Sequence, residues 1–178
     1  MTRLETKRLL LRPLQREDAE IVEEYASDYE IAKTTLNIPH PYPKGSALDY
    51  IDSVLAAAKN GRQHVFAITE KNSGSLLGTI ALGIAEEHSR GELAYWVGKP
   101  HWGKGYGTEA ARRLMQYGFE TLQLRKIFAA SFTDNPGSWR IMEKIGLKYE
   151  GTLKQHVSRL GNHHDLAYYG LLKEDYKG

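Results

Sequence analysis

The 178-residue chain contains no cysteine. Disulfides, thiolate metal centres and a cysteine nucleophile are therefore excluded, and the absence fits a reducing compartment. No apolar run approaches the roughly twenty residues that cross a bilayer. The start, Met1-Thr2-Arg3-Leu4-Glu5, has no signal-peptide core. A cytoplasmic protein with no membrane partner is expected. Charge of one sign is also lacking. Lys and Arg number 24 against 22 Asp and Glu, a net +2, too little to argue for a nucleic-acid partner. There is no repeat, low-complexity segment or long linker. An apolar fraction of 41% and a charged fraction of 26% are ordinary for a globular protein. The length suits one domain over residues 1–178 with a real core. No exposed apolar face is identifiable, so monomer and homodimer both stay open.

What the chain does have is an unusual glycine segment, Tyr95-Trp96-Val97-Gly98-Lys99-Pro100-His101-Trp102-Gly103-Lys104-Gly105-Tyr106-Gly107-Thr108. A β-type run leads into alternating glycines, and a helix-type run follows. Glycine lets a backbone approach a ligand and turn its N–H groups inward. A helix start directly behind adds unpaired donors and partial positive charge. Together these make a phosphate site. A nucleotidase phosphate loop would need a hydroxyl after Lys104, where Gly105 stands, so its magnesium role fails. A dinucleotide fingerprint would need a different glycine spacing within an early βαβ unit. The alternative without a ligand is a tight strand–helix connection. Trp102 is read as ordinary packing, with the backbone at that position doing the binding.

The rest of the chain reads as alternating strands and helices. Strands are expected over 9–14, 64–69, 76–84, 91–97, 126–133, 148–157 and 164–173. Helices are expected over 16–27, 46–59, 107–122 and 138–145. Ser46 is the expected cap of the second, whose buried stripe is Tyr50, Ile51, Val54, Leu55 and Ala58. Lys71-Asn72-Ser73-Gly74 is a hairpin turn. Ile38-Pro39-His40-Pro41-Tyr42-Pro43 cannot be regular helix and should be a surface loop. On the third helix Glu109 and Arg113 have favourable i,i+4 spacing. Arg125, Lys126, Arg140 and Lys144 form a modest basic patch or a solvated face. His163 and His164 are adjacent on a strand and so point to opposite faces. With no supporting cluster, no metal is expected.

Three motifs in order resemble the GNAT N-acetyltransferase superfamily, more narrowly its ribosomal-protein N-terminal acetyltransferase branch. They are Glu5-Thr6-Lys7-Arg8-Leu9-Leu10-Leu11-Arg12-Pro13, Pro100-His101-Trp102-Gly103-Lys104-Gly105-Tyr106 and Asn135-Pro136-Gly137-Ser138-Trp139-Arg140-Ile141-Met142-Glu143-Lys144-Ile145-Gly146-Leu147. The likeness implies an α+β, three-layer fold. Its mixed, mostly antiparallel sheet would be splayed between the fourth and fifth strands and flanked by helices. It implies acetyl-coenzyme A (acetyl-CoA) as co-substrate and an amine as acceptor. The acceptor is a protein N-terminal α-amine or a small amine such as a polyamine, antibiotic or amino acid. A non-catalytic acyl-CoA sensor is the reading from another class.

On that resemblance, the pyrophosphate lies on the backbone of Trp102, Gly103, Lys104, Gly105, Tyr106, Gly107 and Thr108. The pantetheine arm follows the strand edge at Trp96 and Val97, with Asn135 and Ser138 also contacting the cofactor. Glu92 is the candidate base. It shares a strand face with Ala94 and Trp96, and a carboxylate among aromatics titrates higher than usual; otherwise it is a solvated strand-end residue. Ser138 is the other catalytic candidate, close to the sulfur, unless it merely faces solvent or bonds back to the helix. Asn135 also suits a helix cap. Tyr42 and Tyr95 are the candidate acceptor-binding residues. Many superfamily members place an acidic tyrosine four residues after the Ser138 position. Here Met142 stands there and cannot donate a proton, so its expected role is core packing.

Overall fold

A computed structural model describes residues 2–178. One eight-stranded sheet organises the chain. Its strands are β1 (Leu4–Glu5), β2 (Leu9–Arg12), β3 (Gln63–Glu70), β4 (Leu76–Ala85), β5 (Arg90–Val97), β6 (Lys126–Phe132), β7 (Lys148–Arg159) and β8 (Asn162–Leu172). They lie in the order β1-β2-β3-β4-β5-β6-β8-β7. All neighbours are antiparallel except β5 and β6. Val65 to Thr69 and Leu76 to Ile80 are buried without alternation. That is the signature of strands covered on both faces.

Helices supply the covers. On one face lie α1 (Ala19–Ala26) and α3 (Ser46–Ala58), and the short α2 (Tyr29–Ala32) follows α1. Val22, Ala47, Ile51 and Val54 pack there on Leu14, Val65, Ala67 and Leu76. On the other face lie α4 (Tyr106–Gln116) and α5 (Pro136–Lys144). Ala110, Ala111, Leu114 and Met115 pack there on Leu9, Leu11, Phe66, Ile80 and Leu93, with Met142 of α5. Successive side chains of a strand go to opposite faces, so β5 divides between the two cores. Leu93, Tyr95 and Val97 join the α4 core, and Trp96 joins the α1/α3 core.

The parallel pairing of β5 and β6 is short. It holds at Arg90↔Lys126, Gly91↔Ile127 and Glu92↔Phe128, then stops. Beyond Glu92 the strands diverge, and the β6 side of Leu93–Val97 has no strand partner. These are the fourth and fifth strands of the sequence expectation, so the splayed sheet is present where it was anticipated.

Several local expectations need correction. Residues 16–18 form a 3-10 turn ahead of α1, and α2 was not anticipated. The cap of α3 is Gly45, at φ 85°, and Ser46 is the first helical residue. A left-handed backbone there leaves no serine-type cap. Ala47 is buried in the α3 stripe, whereas Tyr50 and Ala58 are open, because the cavity described below removes the cover over Tyr50. The α4 helix ends at Gln116 and continues as a π-turn over Tyr117–Thr121. Glu109 does not pair with Arg113. Its carboxylate takes Arg8 Nε at 2.7 Å and Thr6 Oγ1 at 2.6 Å, while Arg113 donates to the Glu5 carbonyl.

Candidate active site

The glycine loop is shaped by two backbone requirements and one packing requirement. Gly103 and Gly105 sit at φ 72° and 79°, where a side chain costs roughly 1–2 kcal/mol. Gly107 has no such backbone need. A Cβ there would lie 2.9 Å from Ile141 Cδ1, so Gly107 lets α5 close on α4. The first helical bond of α4 runs from Glu109 N–H to the Gly105 carbonyl at 3.0 Å. The N–H groups of residues 105–108 precede it and have no carbonyl inside the helix. Unpaired donors of this kind suit an anion.

Arg8 braces this loop. Its Nη1 donates to the Lys104 carbonyl at 2.9 Å, and its guanidinium lies 4.6 Å from the Tyr106 ring centroid. Burial pushes the Glu109 carboxyl up, but Thr6 and the Arg8 backbone and side chain outweigh it and hold it below its ordinary value. The sequence reading quoted Arg8 within the opening strand and missed this role. Nothing local marks an arginine that acts across 96 residues. The anticipated basic patch is partly engaged elsewhere: Lys126 pairs with Glu150 at 2.7 Å, and Arg140 lies over Trp139.

The open edge of β5 has a definite polarity. Gly98 N–H donates to the Leu77 carbonyl at 2.8 Å. Antiparallel alternation then turns the main-chain groups of Ala94 and Trp96 toward β4, and those of Tyr95 and Val97 toward the split. Tyr95 and Val97, rather than Trp96, thus carry the free edge. Trp102 is not packed in a core. It is 43% exposed, and its indole N–H donates to the Val97 carbonyl at 2.6 Å, so it occupies one acceptor of that edge.

One cavity of about 500 Å³ passes through the split. Glu92, Ala94, Tyr95 and Trp96 of β5 line it, with Tyr42, Ser138 and Met142. Glu92 opens into this cavity, yet protein surrounds it sufficiently for burial to raise its carboxyl, with the Arg90 charge opposing. Tyr42 is half-buried against the α1/α3 core. Its phenol is raised by burial first, then by Glu23 and Tyr50. Residues 34–39 form the outer wall, so the proline loop lends Ile38, Pro39 and Tyr42 to the cavity. Arg159, at the end of β7, holds that wall. It donates to the carbonyls of Ala32 at 2.9 Å and Thr35 at 2.8 Å, and to that of Ile38.

On the α5 side, Asn135 stands at the helix cap position but makes no side-chain cap bond. Tyr95 reaches across the split and donates its hydroxyl to the Ser138 carbonyl at 2.9 Å. Ser138 Oγ lies 3.4 Å from the Tyr95 hydroxyl. Burial raises the Tyr95 phenol, the Ser138 hydrogen bond opposing, so Tyr95 stays protonated at neutral pH. Met142 is buried in the α4 core. His163 bonds Ser158, whereas His164 stacks on Phe132. Among the described residues no group of three or more His, Cys, Asp or Glu could hold a metal, and no helix is long and apolar enough to cross a membrane.

The sheet is opened between two strands, with the unpaired amides of the α4 start beside the split and a carboxylate on the cavity wall. The family described as the acetyltransferase (GNAT) domain matches residues 8–148, and the chain belongs to it; its relatives are N-acetyltransferases and so is this enzyme. The uncharacterized N-acetyltransferase p20 of Bacillus licheniformis is 33% identical over 179 residues, covering 100% of both chains. The spermidine N(1)-acetyltransferase of Escherichia coli (strain K12) is 26% identical over 80% of this chain and 74% of its own. A solved RimL, a ribosomal L7/L12 alpha-N-protein acetyltransferase in complex with coenzyme A, shares the fold. Its TM-score is 0.88 at 15% identity, covering 96% and 98% of the two chains.

Proposed function

We propose that the protein transfers the acetyl group of acetyl-CoA to the α-amine at a protein N-terminus, as in ribosomal-protein acetylation. The whole chain, 1–178, is read as one N-acetyltransferase domain. One observation carries the reading: a single cavity joins Glu92 on β5 to Ser138 on α5 across the split that opens where β5 and β6 part. The residues fit the co-substrate. Donors at 103–108 suit a diphosphate. The free edge at Tyr95 and Val97 suits an amide chain laid along a strand. Asn135, its side chain uncommitted to capping, is assigned to the same ligand.

Acetyl-CoA supplies an acyl group activated as a thioester. The chain's residues do the rest. Glu92 takes the proton that an ammonium must lose before its nitrogen can attack, directly or through a water. Its raised carboxyl makes it a stronger base than an ordinary glutamate. Tyr42 and Tyr95 hold the acceptor near Glu92. Ser138 presents a hydroxyl on the α5 side, where the departing sulfur needs a proton or a hydrogen bond, and Tyr95 fixes that turn by donating to the Ser138 carbonyl. Ser138 takes the place of the donor that Met142 cannot be. Holding both reactants in one split contributes the largest share of the rate.

The test is release of free thiol from acetyl-CoA by the purified chain, with a peptide bearing a free N-terminus. Turnover that stops when that N-terminus is blocked is expected. Thermal stabilisation by coenzyme A without turnover on any amine would replace the enzyme reading with that of an acyl-CoA sensor.

A further inference from the structure

The charge inventory of the cavity narrows the acceptor, a step that rests on the N-acetyltransferase reading above. Among the described residues Glu92 is the sole formally charged side chain on the cavity wall. The remaining wall combines aromatic surface from Tyr42, Tyr50 and Trp96 with neutral polar groups from Thr35, Asn37 and Gln63. Two charged groups outside it are tied by hydrogen bonds. Glu23 accepts the Gly45 N–H at 2.7 Å, and Arg159 is held by the carbonyls of Ala32, Thr35 and Ile38. A second ammonium against this wall would be desolvated with no second carboxylate on the wall to meet it. A carboxylate beside the reacting amine would equally find no cation on the wall.

We infer that the acceptor's reacting ammonium is its only charge, carried on a neutral, partly apolar body. The cavity selects against polyamines, aminoglycosides and free amino acids. The start of a peptide chain fits this description, because its amides are neutral and match Thr35, Asn37 and Gln63. A monoamine with an apolar body has the same chemistry from another source. Selection here works by leaving the wrong ligand's charges unpaired, which discriminates more sharply than adding contacts to the right one.

The experiment uses the full chain loaded with coenzyme A and reads amine binding by calorimetry, independently of turnover. The ligands are a neutral tripeptide amide, phenethylamine, spermidine and free alanine. The tripeptide amide or phenethylamine should bind at least about tenfold more tightly than spermidine and alanine, and whichever leads identifies the source. Leu36→Glu, a change at an exposed residue of the cavity wall, should improve spermidine binding relative to phenethylamine. Spermidine or alanine binding as well as either monocation would overturn the inference. Absence of thiol release with every amine, at normal coenzyme A affinity, would instead count against the transferase reading, and the binding order would still decide the cavity's selectivity.

Discussion

On the α4 side of β5, Leu93, Tyr95 and Val97 pack into the main core, and the neighbouring glycine loop is braced by Arg8 and Glu109. On the other side, Glu92, Ala94 and Trp96 look into a cavity whose outer wall, residues 34–39, is irregular and held by Arg159. The first region presents main-chain donors, which any phosphate satisfies. The second presents side chains with one charge, which only some amines satisfy. A family can therefore keep the first region fixed while its acceptors diverge through the second.

If the two regions are separable, mutations in one should spare the other's ligand. The largest effect is expected from Gly105→Val. A branched side chain at φ 79° displaces the loop, and coenzyme A affinity should fall by more than about 100-fold by calorimetry. Unchanged affinity would undo the loop assignment. Glu92→Gln should lower kcat by about 100-fold while coenzyme A affinity stays the same. Burial raises the Glu92 carboxyl. The base is protonated, and inactive, below that raised value, so kcat should fall with decreasing pH at a higher pH than an ordinary carboxylate would give. That limb should vanish in Glu92→Gln, leaving only the acceptor amine's own titration; an unchanged profile would remove Glu92 as the base. Arg159→Ala frees the wall at 34–39 and should raise the acceptor KM about tenfold, with coenzyme A affinity unmoved and stability lower by about 1–3 kcal/mol. An equal change in coenzyme A affinity would show that the regions are not separable. Ser138→Ala should be mildest, about a few-fold in kcat, because positioning of the two reactants supplies most of the rate.

What could be read from the sequence was what is local. The glycine loop occupies consecutive residues, and its three glycines announce themselves. The face shared by Glu92 and Trp96 follows from strand alternation. The splay was legible only through family resemblance, since no residue of β5 says where β6 leaves it. The braces were not legible. Arg159 reaches Ala32 across 127 residues, Arg8 reaches Glu109 across 101, and Tyr95 meets Ser138 across 43. Folding alone brings such pairs together. Trp102 misled for a related reason: an aromatic residue suggests packing, and only the folded loop shows its indole on the Val97 carbonyl.

The most direct measurement is a coenzyme A titration followed by backbone amide NMR. Saturable shifts should concentrate in the amides of residues 103–108 and at Tyr95 and Val97, with little change along residues 34–39. Shifts confined to residues 34–39, with the glycine-loop amides unmoved, would contradict the account.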